Sequence, residues 1–266
     1  MNRIVFAALA AAILSGCASL DAPRADLSPS GKLRAAINLG NPVLASRGAG
    51  GELQGVSVDL ARELAHRLGV PAELLSFDSA GKTVEAGKAG LWDIAFVAVD
   101  PARGAEIAQS PPYVVIEGAY LVREGSPIRA NAEVDRPGNR IAVGRGSAYD
   151  LFLSRNIKQA QIERVPTSGE VVSAFMQRNL EVAAGVKQQL EMDAGKTPGV
   201  RLLPGRFMVI NQAMASQKVT QTRGSAGAKF VRDFIEDAKA SGFVAQSLAR
   251  HRIQGAAVAP PGDAVQ

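Results

Sequence analysis

The stretch WDIAFVAV (residues 92–99) carries one polar residue in eight and stops at Asp100-Pro101. A strand without a polar face must be covered on both sides, as in a parallel sheet flanked by helices. The surrounding chain alternates to match. LRAAINL (33–39) reads as a strand ended by Gly40-Asn41-Pro42. SVDLARELAHRLG sets Val58, Leu60, Ala61, Leu64, Ala65 and Leu68 at helical spacing and stops at Gly69 before Pro71. AELLSF is a second strand and TVEAGKAG a short helix. After PYVVIEGAYLVREGSP the alternation restarts, with RIAVG, AQIERVP and LEVAAGV as strands. Between them lie the helical segments SAYDLFLSRN and SGEVVSAFMQRN, and RFMVINQAMAS leads to closing helices over 226–241 and 243–250. This pattern predicts an α/β protein of two lobes, each a mostly parallel sheet flanked by helices. Residues 31–122 with 212–254 form lobe 1 and 123–211 form lobe 2, joined by crossings near 120–126 and 207–213. The cleft between two such lobes is the expected small-molecule site.

Arg3 precedes an apolar run of eleven residues, 4–14, followed by Ser15-Gly16-Cys17. A charged start, a short apolar segment and small residues describe an export signal. Eleven residues are too few to cross a bilayer core of roughly 30 Å as a helix. The segment LSGC also resembles the bacterial lipobox, whose cysteine becomes lipid-modified. The alternative for Cys17 is a buried thiol beside an uncleaved helix. On the lipobox reading, residues 1–16 are a signal peptide and 17–30 a flexible tether. The protein is then periplasmic and touches a membrane only through its lipid. Ala18 gives no inner-membrane retention cue, which favours the outer membrane. The tail GAAVAPPGDAVQ (255–266) has the composition of a disordered segment.

A net charge of +5 without a basic run, and 5% aromatic residues, argue against nucleic acid as a partner. With Cys17 given to lipid, no thiol remains, and the two histidines are far apart, so neither a metal site nor a cofactor is expected. His66 and His251 read as solvated helix residues, and Trp92 as packing rather than a ligand stack. No Ser-His-Asp set and no HExxH occurs, so no catalytic residue is assigned.

Two positions stand out at strand ends. Arg103 follows the apolar strand in DPARGAEI, and two roles are open to it: a fork for a carboxylate, or a surface ion pair with Glu106 or another acid. In VGRGSAYDLFL, Ser147 and Ala148 stand at a strand-to-helix turn. Their amides suit an anion, while Ser147 would cap the helix in any case.

Four segments in order, GKLRAAIN…GELQGVSVDLARELAHRLGV, GKAGLWDIAF, DPARGAEIAQSPPYVVIEGAYLV and VGRGSAYDLFL, resemble the bacterial extracellular solute-binding proteins of family three. These serve amino-acid ABC transporters, and the likeness spans roughly residues 31–253. It implies the type II periplasmic-binding-protein fold, a monomer, and a permease in the inner membrane as partner. It implies that Arg103 grips the ligand's carboxylate. The family's ammonium-binding acids match Asn38 and then Val186 or Lys187, none of them acidic. A buried ammonium without a counter-charge costs several kcal/mol, so an anionic organic acid is expected in place of a standard amino acid. Lys187 would favour a second negative charge, or else stands solvated at a helix start. Phe96, Val97 and Ala98 replace small hydroxyl residues, which suggests a hydrocarbon or keto body. Two alternatives stay open: a cyclohexadienyl-dehydratase-like enzyme with Glu117 as general acid, and a sensory protein presenting its ligand to a receptor.

Overall fold

The computed structural model describes residues 19–218 and 224–262. Helix α1 (Asp21–Leu27) precedes β1 (Leu33–Asn38), a hairpin of β2 (Ser46–Arg47) and β3 (Leu53–Gln54), and α2 (Val56–Leu68). Next come β4 (Ala72–Phe77), α3 (Ala80–Lys88), β5 (Ile94–Ala98), the one-turn α4 (Pro101–Gly104) and the long β6 (Ile107–Arg123). The second lobe holds β7 (Arg140–Gly144), α5 (Ala148–Asn156), β8 (Gln161–Val165), α6 (Val171–Gln177), β9 (Val182–Val186), α7 (Lys187–Ala194) and β10 (Val200–Leu202). The chain returns along β11 (Met208–Gln217) to α8 (Ala226–Ala240) and α9 (Phe243–Arg250), and ends in β12 (Ala257–Val258).

The main sheet runs β4-β1-β5-β11-β6-β9-β7-β8. β4, β1 and β5 are mutually parallel, as are β9, β7 and β8, and the two sets are joined through antiparallel β11 and β6. The architecture is thus the expected two-lobed α/β fold. β5 is buried at every position, which is why its sequence lacks a polar face. β6 and β11 are the crossing strands, and the exchange of partners falls at Gly118. That residue faces Met208 on β11 and Val186 on β9. A Cβ there would stand 2.7 Å from Met208 Cγ and 3.0 Å from Phe207 Cζ, so any side chain at this position would have to displace those two. The exchange lies a few residues before the boundaries expected at 122 and 211.

Two segments expected to be loose are folded. Residues 21–27, placed in the tether, form α1, and Leu27 is buried against α8. Arg24 Nε donates to Leu68 O at 2.6 Å, and the Asp26 carboxylate accepts from Gly224 N at 2.6 Å and Gly227 N at 2.9 Å. One helix thereby caps the last turn of α2 and the first of α8, which low apolar content does not reveal. The tail also departs from expectation. β12 pairs with β6 at Val114 and Val115, on the edge that β9 leaves open, and Ala259 N donates to Tyr113 O at 3.1 Å. A free strand edge is an acceptor for any short apolar segment that reaches it. Cys17, the expected lipid position, lies outside the described residues.

Candidate functional site

Arg103 is set by a short chain of local causes. The Asp100 side chain accepts from Ala102 N at 2.9 Å and caps α4, with Pro101 at its first position. This single turn folds Arg103 back over the end of β5, where it is 3% exposed. Its Nη1 donates to Ala98 O at 2.9 Å and its Nη2 to Gly146 O, across the cleft in lobe 2, at 2.8 Å. No carboxylate touches the guanidinium among the described residues. Glu106 is exposed and faces Lys88 at 3.6 Å, so the surface ion pair with Arg103 is not formed. Asp100 instead holds Arg155 of α5, at 2.7 Å. Burial pushes the Arg103 pKa down to about 10, partly opposed by the Asp100 charge. The group remains a cation at neutral pH.

Lobe 2 meets it with the turn before α5. Ser147 Oγ accepts from Asp150 N at 3.0 Å and so caps the helix. The Ser147 amide, expected to face an anion, is instead spent in the turn, donating to Gly144 O at 3.1 Å. The amides of Ala148 and Tyr149, first in α5, have no acceptor four residues back in the helix. Gly146 has φ +68°, and a Cβ there would lie 2.8 Å from Gly81 Cα of lobe 1. The lobes therefore touch backbone to backbone, and the Arg103–Gly146 and Arg155–Asp100 bonds bridge the same rim. The cavity behind this rim is small, with about 30 Å³ open to the centre of a water molecule, room for roughly two waters.

Several expected residues do line that cavity: Asn38, Ala98, Arg103, Ser147, Ala148 and Val186. Asn38 Oδ1 accepts from Gly40 N at 3.0 Å, which turns the side chain at the end of β1. Two others do not. Phe96 shares a strand face with Ala98 but sits one pleat deeper, 2% exposed and edge-on to Tyr113. Lys187 is drawn to the crossing strands: its Nζ donates to Glu117 Oε2 at 3.2 Å, and Arg206 Nη1 donates to Glu117 Oε1 at 2.7 Å. These two cations hold the Glu117 carboxyl below the usual carboxylate range, Arg206 foremost.

Sequence reading overlooked Asn41, Tyr149, Ser168, Ile210 and Gln212, which complete the wall with Gly40 and Ala80. Asn41 passed as the punctuation of a turn, and Gln212 is brought in by β11 from far along the chain, with no local signal. No Asp or Glu lines the cavity. Elsewhere Trp92 is fully buried and donates to Thr83 O at 2.7 Å. His66 is exposed, and His251 joins Ser247 and Arg250 on Asp59. Among the described residues there is no group of three or more His, Cys, Asp or Glu placed to hold a metal, and no helix long and apolar enough to cross a membrane.

Two lobes closing over a buried guanidinium define a cleft-binding protein of the type II periplasmic-binding-protein fold. Residues 33–252 match the bacterial extracellular solute-binding proteins, family 3, and the chain belongs to that family. Residues 1–18 match the prokaryotic membrane lipoprotein lipid attachment site, marking a membrane-anchored exported protein. Among solved structures, a mutant of ArgBP from T. maritima superposes with a TM-score of 0.73 at 18% identity, covering 86% of this chain and 98% of that one. An amino acid ABC transporter substrate-binding protein from Streptococcus pneumoniae, bound to L-arginine, gives 0.71 at 20%, covering 86% and 96%. An ancestral amino acid-binding protein, a precursor of cyclohexadienyl dehydratase, gives 0.70 at 19%, covering 85% and 97%. A search of curated proteins finds no match.

Proposed function

We propose that this protein captures a small carboxylate-bearing solute, an amine-free organic acid, and delivers it to an ABC permease. One observation carries the reading: Arg103 is a buried cation in a cavity wall that contains no acid. A guanidinium held by two backbone carbonyls still has donors to spare, and a carboxylate supplies both charge and geometry for them. The amides of Ala148 and Tyr149 add donors from lobe 2. An amino acid's ammonium would find only neutral groups, at a cost of several kcal/mol. The solute then replaces Gly146 O as the partner of Arg103, and closure reports occupancy. The enzyme alternative is weakened by Glu117, which is ion-paired outside the cavity wall. A general acid needs a raised pKa, and its pKa is lowered.

The anchor constrains the partner. Asp21 begins the folded body four positions after Cys17, a reach of at most about 14 Å. Capture and delivery by so short a leash require the permease in the membrane that holds the lipid. This spacing weighs against the outer-membrane preference drawn from Ala18 and favours the inner membrane.

A thermal-shift screen of the purified protein against amino acids, keto acids, hydroxy acids and dicarboxylates tests the reading. Solute at about 100 times its Kd adds roughly 2.7 kcal/mol, a shift of roughly 5–10 °C for a chain this size. Hits among amine-free acids support it. Hits confined to amino acids overturn it.

A further inference from the structure

Asn41 stands in the turn after β1, and its backbone carbonyl holds that turn: Asn41 O accepts from Leu44 N at 3.1 Å and Ala45 N at 3.2 Å. Its side chain is not used by the turn. The residue is 7% exposed, it lines the same cavity as Arg103, and its Oδ1 is buried without a hydrogen-bond partner among the described residues. Folded proteins pair nearly all such atoms, and an unpaired buried carbonyl is a cost that persists only where something compensates. A carboxamide oxygen can be satisfied in only one way, by a donor.

The neighbours narrow what that donor is. The Asn38 carboxamide uses its oxygen on Gly40 N, and its nitrogen has no acceptor among the described residues. Gln212, 6% exposed on β11, has a side chain with no protein partner there either. Three neutral carboxamides thus share the cavity wall with one guanidinium and with Ser147, Tyr149 and Ser168. The hydroxyls of these three are already engaged, Tyr149 donating to Ser168 Oγ at 2.9 Å and Ser147 accepting from Asp150 N at 3.0 Å. Such a wall reads hydrogen bonds and no second charge. A keto oxygen offers no proton to Asn41. An ammonium offers protons but brings a second cation into the cavity of Arg103, where no carboxylate offsets it. A hydroxyl is neutral, donates once and accepts from the amides beside it.

We infer that the solute is a hydroxylated carboxylic acid, its carboxylate on Arg103 and its hydroxyl donating to Asn41 Oδ1. This deepens the carboxylate reading of the same cavity and rests on it. The residue that would discriminate among acids of equal shape is then Asn41, a position that looked like a turn signal alone.

Isothermal titration with matched triplets tests this on the intact protein: glycolate, glyoxylate and glycine; lactate, pyruvate and alanine; 3-hydroxybutyrate, acetoacetate and 3-aminobutyrate. In at least one triplet the hydroxy acid should bind at least tenfold more tightly than either counterpart. Asn41→Leu should abolish that preference. Asn41→Asp, nearly isosteric, should turn the preference toward the amino acid. Arg103→Ala should remove binding of every member. Keto acids equalling or exceeding hydroxy acids, or a preference unchanged in Asn41→Leu, overturns the hydroxyl assignment and leaves the carboxylate reading standing. Amino acids preferred by the unaltered protein, no binding by any member, or full affinity in Arg103→Ala overturns both.

Discussion

The cleft and the hinge of this protein treat charge in opposite ways. At the hinge an acid, Glu117, is held by two cations, Lys187 and Arg206, and the cluster is complete within the chain. In the cleft one cation, Arg103, is buried among carbonyls, amides and hydroxyls and meets no acid. Both clusters draw on residues beside the crossing strands, and all the residues concerned are charged or polar in the sequence. What separates them is whether the charge is satisfied internally. A closed ion-pair cluster fixes geometry, whereas an unmatched buried cation has an interaction still to make. The comparison also explains why Lys187 and Glu117 are misleading to a reader of the sequence: each has the chemistry of a site residue and spends it on the other.

The sharpest way to break the comparison is Arg103→Ala. It should weaken carboxylate binding by at least about 100-fold, the scale of truncating one partner of a buried charged pair, read by titration calorimetry. Its circular dichroism should match that of the parent, because Ala98 O keeps a donor in Gln109 Nε2 at 3.0 Å. Next is Asn38→Asp, which preserves an acceptor for Gly40 N but adds a charge to the wall. It should weaken amine-free acids by about tenfold and strengthen their amino counterparts, and no change in either would detach Asn38 from the solute.

Smaller effects follow from the rim and the hinge. Arg155→Ala removes the bridge to Asp100 that ties the lobes together. For a pair with one partly exposed partner the loss is about 1 kcal/mol, a roughly fivefold drop in affinity with a larger radius of gyration in solution scattering. Lys187→Ala should alter affinity by less than about twofold, since its partner is Glu117; a tenfold loss would move it back into the cleft. The least effect concerns pH. The Glu117 carboxyl is held low in the folded state by Arg206 and then Lys187. Its contribution to stability is therefore complete above the unfolded carboxylate's pKa and is lost as pH falls through the lowered folded value. Glu117→Gln should cost about 2 °C or less in Tm at pH 7, because the group is partly solvated, and progressively less as pH falls below the unfolded carboxylate's pKa.

Much of the fold was legible because it rests on local pattern. β5 is apolar throughout because it is covered on both faces, and α2 shows its buried stripe at helical spacing. The segments at 21–27 and 257–258 were not legible, since their order comes from distant caps and a free strand edge. The site divides in the same manner. Of the residues that line the cavity, Arg103 stood out from its place after a buried strand and Ser147 from its strand-to-helix turn, whereas Asn38 and Val186 were singled out by the family resemblance alone. Asn41 and Gln212 carried no signal, one hidden in a turn and the other delivered by the returning strand.

By itself the sequence determined the alternation of strands and helices, the paired lobes, the export and lipid signal, and a lone arginine at the mouth of a cleft. Each follows from spacing and residue type read along the chain. The tertiary structure decided which charges are spent and which are left to act. Lys187 and Arg206 lie 70 and 89 positions from Glu117, and only the crossing of β6 and β11 brings them together. Whether a cation binds its own chain or a solute depends on which acid is within about 4 Å of it, and that distance is set by the fold.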